Sequence, residues 1–298
     1  MPAEFAEPLE MIDATHVRWR GRRMVYFGGC DYLRLSLNPK IRAAMEKGVI
    51  NVAASRMTTG NHPVYAHVEK AIAAWFRVPS ATLCSSGYLT SIAVGQALEG
   101  EVDRVLIDER AHGCLCDAAR LTGAEVVEFR HRDVADLARR IRSGRLLLMT
   151  DGVFAADGAI APLRDYLKAL PRGARMLVDD AHGAGVLGEN GRGSTEFAAV
   201  GHGQIIRTIT FSKAFGVYGG AILGSMALRR RLMERSRAVV GNTPLPPMYA
   251  HGILAALKLA TPAKRRRLMS NARRLMPGAE FPVLSFESEN AERVCGAL

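Results

Sequence analysis

Short apolar runs rich in β-branched residues alternate with amphipathic helical runs along most of this chain. That alternation favours a mostly parallel sheet with helices on both faces. Apolar strands are predicted at 81–84, 104–107, 125–129, 146–150, 176–179, 207–211 and 221–223. Helices with apolar residues at three- and four-residue steps are predicted at 65–76, 88–98, 113–122, 134–143 and 163–170. Ligands of such sheets bind at the carboxyl ends of the strands.

The pattern turns helical after Arg229, which indicates a second subdomain. Its predicted helices are 228–240, 248–259 and 263–276, and the strand-like segment Phe281 to Phe286 would begin a small sheet. We therefore predict three parts: an N-terminal segment 1–45, a large α/β domain 46–235, and a small, shortened C-terminal α/β subdomain 236–298.

The composition excludes several classes of protein. With 298 residues, 48% of them hydrophobic, the chain is long enough for a sizeable core. No run of 18 apolar residues is present, and the acidic segment Met1 to Glu7 is unlike a secretion signal, so we expect a cytoplasmic protein without a membrane span. Five cysteines without a CxxC pair predict reduced thiols, and no spacing of ligand residues indicates a metal site.

The net charge of +11 raises the question of nucleic-acid binding. Basic clusters occur at 18–23, 139–145, 229–231 and 264–267. Aromatic residues make up only 6% of the chain and do not interleave with these clusters. We therefore interpret the charge as solvated helix faces that attract anionic cofactors and substrates, and we expect no nucleic-acid partner.

Lys213 is the first candidate catalytic residue. It follows a β-branched strand that ends in Thr210, and Gly216 and Gly219-Gly220 come shortly after it. An amine nucleophile with hydroxyls and glycines around it is what an enzyme needs to hold pyridoxal 5'-phosphate (PLP) as a Schiff base. The alternative is a solvated surface lysine.

Asp179 and His182 are the second candidates. Asp179 ends an apolar strand, where a carboxylate is well placed to bind a protonated ring nitrogen, and His182 is within reach of the phenolic oxygen of the same ring. The alternative is an acid that caps a turn. Residues 183–188 also match GxGxxG, but three residues separate them from the strand, and the segment 189–193 that follows is a poor start for a helix. We therefore exclude dinucleotide binding.

Two further segments supply candidate ligands for an anionic, flat cofactor. Ser86, Gly87 and Tyr88 join a strand to a helix, and free N–H groups at a helix N-terminus form an anion site. The alternative is an ordinary serine cap. His112 follows another strand, where its ring is able to stack on an aromatic cofactor; by itself it is equally an ordinary polar residue.

Taken in this order, these motifs resemble the α-oxoamine synthase family, which consists of fold type I PLP enzymes. Within it, the chain is most like 8-amino-7-oxononanoate synthases and 2-amino-3-ketobutyrate CoA ligases. The resemblance runs from about residue 26 to about residue 274. The motifs that carry it are Asp31-Tyr32-Leu33, Ser86-Gly87-Tyr88, Asp108 with His112, Gly152-Val153-Phe154, Asp179-Asp180-Ala181-His182-Gly183, Thr210 to Gly216, and Thr243-Pro244-Leu245-Pro246-Pro247.

The resemblance implies a role for each candidate residue. Lys213 would bind PLP covalently, Asp179 its ring nitrogen and His182 its phenolic oxygen, while His112 would stack on the ring. The phosphate would be held by Thr210 and by the backbone N–H groups of Gly87 and Tyr88. Thr243 would reach the phosphate of a neighbouring subunit, which implies a homodimer with shared active sites.

The implied reaction is condensation of an amino acid with acyl-CoA or an acyl carrier protein, usually with release of CO₂, as in biotin biosynthesis. The sequence departs from the family at Arg34, Tyr65 and Ala155, where glycine, histidine and serine are usual. It also ends before the stretch that holds the family's carboxylate-binding arginine. Another PLP-dependent reaction of amino acids, aminotransferase- or lyase-like, and a catalytically impaired partner subunit therefore stay open as alternatives.

Overall fold

The computed structural model describes residues 5–286 and 288–290. Its strands are β1 (Glu10–Met11), β2 (His16–Trp19), β3 (Arg22–Val25), β4 (Ser80–Cys84), β5 (Arg104–Asp108), β6 (Glu125–Phe129), β7 (Leu146–Asp151), β8 (Arg175–Asp179), β9 (Ile205–Thr210) and β10 (Gly220–Gly224). Its helices are α1 (Pro39–Met45), α2 (Pro63–Phe76), α3 (Gly87–Ala97), α4 (Gly113–Leu121), α5 (Val134–Arg140), α6 (Leu163–Ala169), α7 (Ser194–Phe197), α8 (Met226–Arg235), α9 (Arg237–Val240), α10 (Pro247–Leu259) and α11 (Pro262–Leu275).

A seven-stranded sheet forms the centre of the molecule, in the order β4-β10-β9-β8-β7-β5-β6. All neighbours from β9 to β6 pair in parallel, and only β10 runs antiparallel to its two neighbours. This topology confirms the predicted mostly parallel sheet, and each strand predicted in it is present with ends shifted by at most two residues.

Helices cover both faces of this sheet because alternate strand residues point to opposite sides. Along β7, Leu147 and Met149 pack with α3 and α4 on one face, whereas Leu146 and Leu148 pack with α5 and α6 on the other. All six residues of β7 are buried, as expected of a central strand in a doubly covered sheet.

The carboxyl ends of the central strands lie side by side and carry polar residues. Strands β5, β7, β8 and β9 end at Asp108, Asp151, Asp179 and Thr210. Parallel pairing sets Asp151 directly opposite Asp179 in the register of β7 and β8. The strands themselves, without any contribution from loops, therefore bring three acids and a hydroxyl together at the carboxyl end of the sheet.

The C-terminal helices pack onto the same core. Ile253 and Leu257 of α10 belong to one apolar cluster with Tyr65 and Ile72 of α2. The boundary at 235/236 stays a prediction, as does that at 45/46. Cys295 and Met1 to Glu4 lie outside the described residues, whereas Cys30, Cys84, Cys114 and Cys116 are free thiols.

Three sequence predictions are wrong in detail. The helix predicted at 228–240 is broken at Ser236, which is fully buried with an extended backbone and whose hydroxyl donates to Gln96 Oε1 at 3.1 Å. The helix predicted to reach residue 143 ends at Arg140. Residues 281–286 form no strand, because Phe281 turns into the core and packs edge-on against Tyr32 at 5.6 Å.

A small antiparallel sheet, β1-β2-β3, precedes the large one and was not predicted. Its residues are mostly exposed and include several arginines, so the sequence lacks the apolar alternation that marks a strand. Within the described residues, every helix is too short or too polar to cross a lipid bilayer.

Candidate active site

A cavity of about 190 Å³ opens at the carboxyl edge of the large sheet. Its lining brings together segments far apart in sequence: Ser86, Gly87, Tyr88, His112, Cys114, Asp151, Asp179, Ala181, His182, Thr210, Ser212 and Lys213. Every candidate residue from the sequence lines this cavity except Thr243.

Lys213 is held by a tight turn after β9. The buried ring of Phe211 anchors the turn, and the Gly216 N–H donates to the Lys213 carbonyl at 3.0 Å. Gly216 has φ +63°, and a Cβ there would collide with the backbone of Ser36. The turn directs the half-buried Lys213 side chain inward, where Nζ lies 2.8 Å from His182 Nε2.

His182 is a neutral acceptor in this arrangement. Burial, and then the charge of Lys213, lower the pKa of His182 to about 3. Its other ring nitrogen, Nδ1, lies 2.7 Å from the hydroxyl of Tyr32. When Lys213 donates to Nε2, the single ring proton is on Nδ1 and is donated to Tyr32.

Asp179 is fixed by a donor at each carboxylate oxygen. The Ala181 N–H donates to Oδ1 at 3.0 Å, and the thiol of Cys114 lies 3.1 Å from Oδ2. Burial, followed by the charge of Asp179, raises the pKa of Cys114 far above its usual range, so its sulfur keeps the proton that it donates. Only 7% of Asp179 is exposed, and that part faces the cavity.

His112 caps the N-terminus of α4, and its backbone also contacts Asp151 at the carboxyl end of β7. Its Nδ1 accepts the Cys114 N–H at 3.2 Å, and its own N–H donates to Asp151 Oδ2 at 2.8 Å. The ring stands edge-on to that of Tyr88 at a centroid distance of 6.1 Å. One flank of the cavity is therefore formed by an exposed imidazole whose backbone is tied to Asp151.

Asp151, Cys114, Ser212 and Tyr32 contribute to the site, although none of them was predicted as a site residue; Tyr32 and Ser212 only belong to motifs that carry the resemblance. Asp151 is only 5% exposed, and burial together with the charge of Asp179 raises its pKa to about 8. One signal was present: Asp151 directly follows a predicted strand, as Asp179 ends another. Cys114 and Tyr32 act through contacts that form only when the chain folds.

The other end of the cavity is suited to an anion. Helix α3 begins at Gly87, with Ser86 as its cap, so the N–H groups of its first turn are free of intrahelical partners. The hydroxyls of Thr210 and Ser212 lie 2.7 Å apart beside them. A Cβ at Gly87 would lie 2.7 Å from Thr210 Cβ, so only glycine permits this close approach.

The last two candidates for the phosphate end are Tyr88 and Thr243. The Tyr88 side chain turns to solvent and donates to Asp117, which leaves only its backbone N–H for an anion in the cavity. Thr243 is exposed and lies outside the cavity lining; the neighbouring Asn242 donates to Ser85 Oγ at 3.3 Å. A role of Thr243 towards another subunit stays a prediction.

The structure shows what Arg34 and Tyr65, two departures from the family pattern, do in this chain. Arg34, which stands where glycine is usual, has φ +50°, a left-handed conformation that glycine adopts without strain. Tyr65, which stands where histidine is common, is fully buried and donates to the Leu245 carbonyl at 2.7 Å. Neither residue lines the cavity.

The donor set of the cavity fits PLP. An amine is present for an aldehyde, a buried carboxylate for a protonated ring nitrogen, and a helix N-terminus with hydroxyls for a phosphate, all in one space. Because Gly87 has no side chain, the backbone N–H groups at the start of α3 stay accessible to a phosphate.

Comparisons with known proteins agree with this fit. The family model of aminotransferase class I and II matches residues 23–287. A protein of Phenylobacterium zucineum, provisionally named an 8-amino-7-oxononanoate synthase, is 37% identical over 314 residues, which cover 97% of this chain and 79% of the relative.

Solved structures give the same result. Serine palmitoyltransferase of Sphingomonas wittichii superposes with a TM-score of 0.84 at 29% identity, over 92% of this chain and 74% of that one. A serine palmitoyltransferase structure that contains PLP superposes with a TM-score of 0.83 at 31% identity, over 89% of this chain and 70% of the other.

Proposed function

We propose that this chain, which belongs to the aminotransferase class I and II family and within it to the α-oxoamine synthases, is a PLP-dependent acyltransferase. It would condense an amino acid with an acyl thioester to give an α-oxoamine, usually with loss of CO₂. The observation that carries the proposal is the meeting of Lys213, Asp179 and the N-terminus of α3 in one cavity. The names of its relatives, an oxononanoate synthase and a palmitoyltransferase, support an acyl substrate.

Each end of the cavity would hold one part of the cofactor. Bound PLP supplies an aldehyde carbon that condenses with amines and a cationic ring that accepts the electron pair left on the α-carbon. Lys213 would hold the aldehyde end and Asp179 the ring nitrogen. The N–H groups of Gly87 and Tyr88, with the hydroxyl of Thr210, would bind the phosphate. The carboxylate of Asp179 would thereby balance the positive charge of the ring nitrogen, and the dipole of α3 would balance the negative charge of the phosphate.

Lys213 would also move the α-proton of the substrate. An amine that donates one N–H to His182 Nε2, 2.8 Å away, keeps its lone pair directed elsewhere and available as a base. Because the pKa of His182 is lowered to about 3, the imidazole stays neutral and orients the amine without taking up its proton. Tyr32 fixes the ring from the other side at 2.7 Å.

The acyl donor and the assembly are part of the proposal. The net charge of +11 favours the approach of an anionic donor such as acyl-CoA or an acyl carrier protein. A homodimer with shared active sites would explain why Thr243 is exposed and outside the cavity of its own chain. Analytical ultracentrifugation would measure the oligomeric state. Thr243→Ala would weaken binding of the cofactor phosphate only if Thr243 belongs to the active site of a neighbouring subunit.

A substrate scan tests the reaction. Protein loaded with PLP is incubated with glycine, alanine or serine against acetyl-, pimeloyl- and palmitoyl-thioesters, and release of free thiol is followed. We expect thiol only when an amino acid and a thioester are both present. Turnover of the amino acid alone would contradict a condensing enzyme and favour aminotransferase- or lyase-like chemistry.

Covalent labelling tests the cofactor site separately. Borohydride reduction followed by peptide mass spectrometry is expected to find the PLP mass on Lys213. Lys168→Ala, a change at an exposed lysine on α6, serves as the matched control and should leave the label unchanged. A label on another lysine, or no label, would refute the assignment of Lys213.

A further inference from the structure

Two buried carboxyl groups face the same cavity from adjacent strands. Asp151 and Asp179 are paired in register at the ends of β7 and β8, and both line the cavity. Parallel strands lie about 4.8 Å apart, and residues opposite each other in register point to the same side. The two acids are therefore held close together by the backbone of the sheet, with no flexible loop between them.

Asp179 and Asp151 differ in the hydrogen-bond donors around their carboxyl groups. Asp179 has the Ala181 N–H and the Cys114 thiol at its two oxygens. Asp151 accepts only the His112 N–H, at Oδ2, and within residues 5–286 and 288–290 its Oδ1 has no protein donor. The titratable groups that face Asp151 are Asp108 of β5, His112 before α4, Cys114 and Cys116 of α4, Asp179 of β8, and Lys213 after β9.

We propose that Asp151 is a positioning residue: it retains one proton beside Asp179 while the cavity holds no cation at Asp179, and it releases that proton to solvent when a cation binds there. The O–H bond of the Asp151 carboxyl breaks, the carboxylate keeps the electron pair, and the cation replaces the proton as the positive charge. Asp151 thus acts through Asp179 without touching the cation itself. Identifying this cation with the protonated ring nitrogen of PLP rests on the proposed function.

The electrostatics of the site agree with this assignment. Two carboxylates at this separation in a buried site cannot both ionise easily, so one proton is shared by the pair. Burial first, and then the charge of Asp179, raise the pKa of Asp151 to about 8, against the lowering effect of the His112 N–H and of Lys213. A cation bound at Asp179 would lower the pKa of Asp151 further, so that Asp151 would release its proton near neutral pH.

The retained proton has a consequence for stability. In the unfolded chain Asp151 loses its proton near its ordinary pKa of about 4, whereas in the folded protein without a bound cation it keeps the proton to higher pH. The raised pKa therefore contributes stability that is present at low pH and is lost as the pH rises from about 4 to about 8. Over that window, each pH unit changes the folding equilibrium constant by about tenfold.

The test compares the wild-type chain and its Asp151→Asn variant, both freed of cofactor, in chemical unfolding between pH 5 and pH 9. Asparagine keeps the acceptor for the His112 N–H and resembles the protonated acid. We expect the variant to gain stability relative to wild type as the pH rises to about 8, and no further change above it. Asp165→Asn, at an exposed acid, is the control and should differ from wild type by a constant amount. A constant difference for Asp151→Asn as well would overturn the proposal.

Infrared spectroscopy gives a second measurement on the wild-type protein itself. A carboxylic acid band should be present at pH 6 in cofactor-free protein, fade towards pH 9, and fade at lower pH once PLP is added. Asp180, whose pKa is raised by burial, is unchanged in both proteins and cancels when the Asp151→Asn spectrum is subtracted. If no band differs between the two proteins, the proposal is wrong, even if the variant folds poorly.

Cofactor affinity separates this proposal from the proposed function. PLP should bind wild type and Asp151→Asn about equally at pH 6, and about tenfold more weakly to the variant at pH 8.5, where only wild type offers two charges. Equal affinity at both values would overturn the link between Asp151 and the cation. If PLP bound neither protein at any pH, the proposed function would fail, while the unfolding experiment would still decide the protonation of Asp151.

Discussion

Two groups of charged residues in this molecule each contain a buried acid, and the two acids are compensated in opposite ways. In the first, which we call the core cluster, Glu69 of α2 lies between Arg56 and Arg229; in the second, the cavity cluster, Asp151 and Asp179 lie near His182 and Lys213. Glu69 is 4% exposed and Asp151 is 5% exposed. Burial alone would raise the pKa of either acid, so the difference between the clusters comes from their partners.

Glu69 is fully compensated. It accepts from Arg56 at 2.6 Å, from Arg229 at 2.8 Å and from the Leu83 N–H at 3.0 Å. Against the opposing effect of burial, the hydrogen bond and charge of Arg56, the Leu83 N–H and Arg229 lower its pKa. Asp151 has one backbone donor and an acid for a neighbour, and its pKa is raised. A buried acid that lacks a cationic partner and lies beside a second acid has a raised pKa, whereas an acid paired with two arginines keeps its charge as part of the core.

The largest expected effect belongs to the cavity cluster and concerns activity alone. Lys213→Ala removes the amine that would hold the cofactor and move the α-proton, so thiol release should fall by about 10³-fold or more. The free energy of unfolding of the cofactor-free protein should stay close to that of wild type, because Lys213 is only half-buried and its Nζ bonds a single ring nitrogen. A variant that keeps most of its activity would contradict the assignment of Lys213.

In the core cluster, the expected loss is one of stability. Glu69→Gln leaves two arginines without their carboxylate and should lower the free energy of unfolding by about 3–5 kcal/mol, measured by chemical denaturation at pH 7. Glu125→Gln breaks the pair of Arg104 with a well-exposed acid and should cost less than about 1 kcal/mol. Equal losses in the two variants would mean that the core cluster is not compensated as described.

The pH dependence of stability should have opposite signs in the two clusters. The lowered pKa of Glu69 contributes stability that is present above its unfolded pKa and is lost as the pH falls through the folded value. The difference between wild type and Glu69→Gln should therefore be constant above about pH 5 and shrink below it. For Asp151→Asn, the difference in the free energy of unfolding from wild type instead develops between about pH 4 and about pH 8. Unfolding curves measured across this range for both variants would therefore distinguish the two clusters.

The smallest effect is expected at Tyr32, which touches the cavity cluster only through His182. Tyr32→Phe removes the hydroxyl 2.7 Å from Nδ1 but keeps the ring that packs on Phe281. Losing one hydrogen bond that orients the imidazole should lower kcat by about tenfold and leave the stability nearly unchanged. Tyr249→Phe, where the ring packs on Tyr218, is the control and should have wild-type activity.

The same contrast explains how far the sequence could predict the molecule. Strands such as β7 and β9, buried along their whole length, are visible as uninterrupted apolar runs, and the order of strands and helices follows from them. The exposed hairpins of β1 to β3 leave no such pattern. Helix ends set by a tertiary contact, such as the break at Ser236, are equally hidden because Gln96 lies 140 residues away.

For the site, residues at the ends of predicted strands could be found, and residues that act through folded contacts could not. Lys213, Asp179, His182 and Gly87 each stand beside a strand and were located from that position. Tyr32 meets His182 across 150 residues, and the pairing of Asp151 with Asp179 requires the strand order. Sequence patterns record which chemistry is present, but the neighbours that set a pKa come from tertiary structure.

The in-register pairing of β7 and β8 also limits how this cavity can be redesigned. Remodelling of surrounding loops cannot change the separation of Asp151 and Asp179, because both are attached to backbone that is hydrogen-bonded within the sheet. A designer who wants the cavity to accept a heterocycle without a basic nitrogen must replace these side chains themselves. In that sense the geometry is inherited from the scaffold, and only the charge is open to engineering.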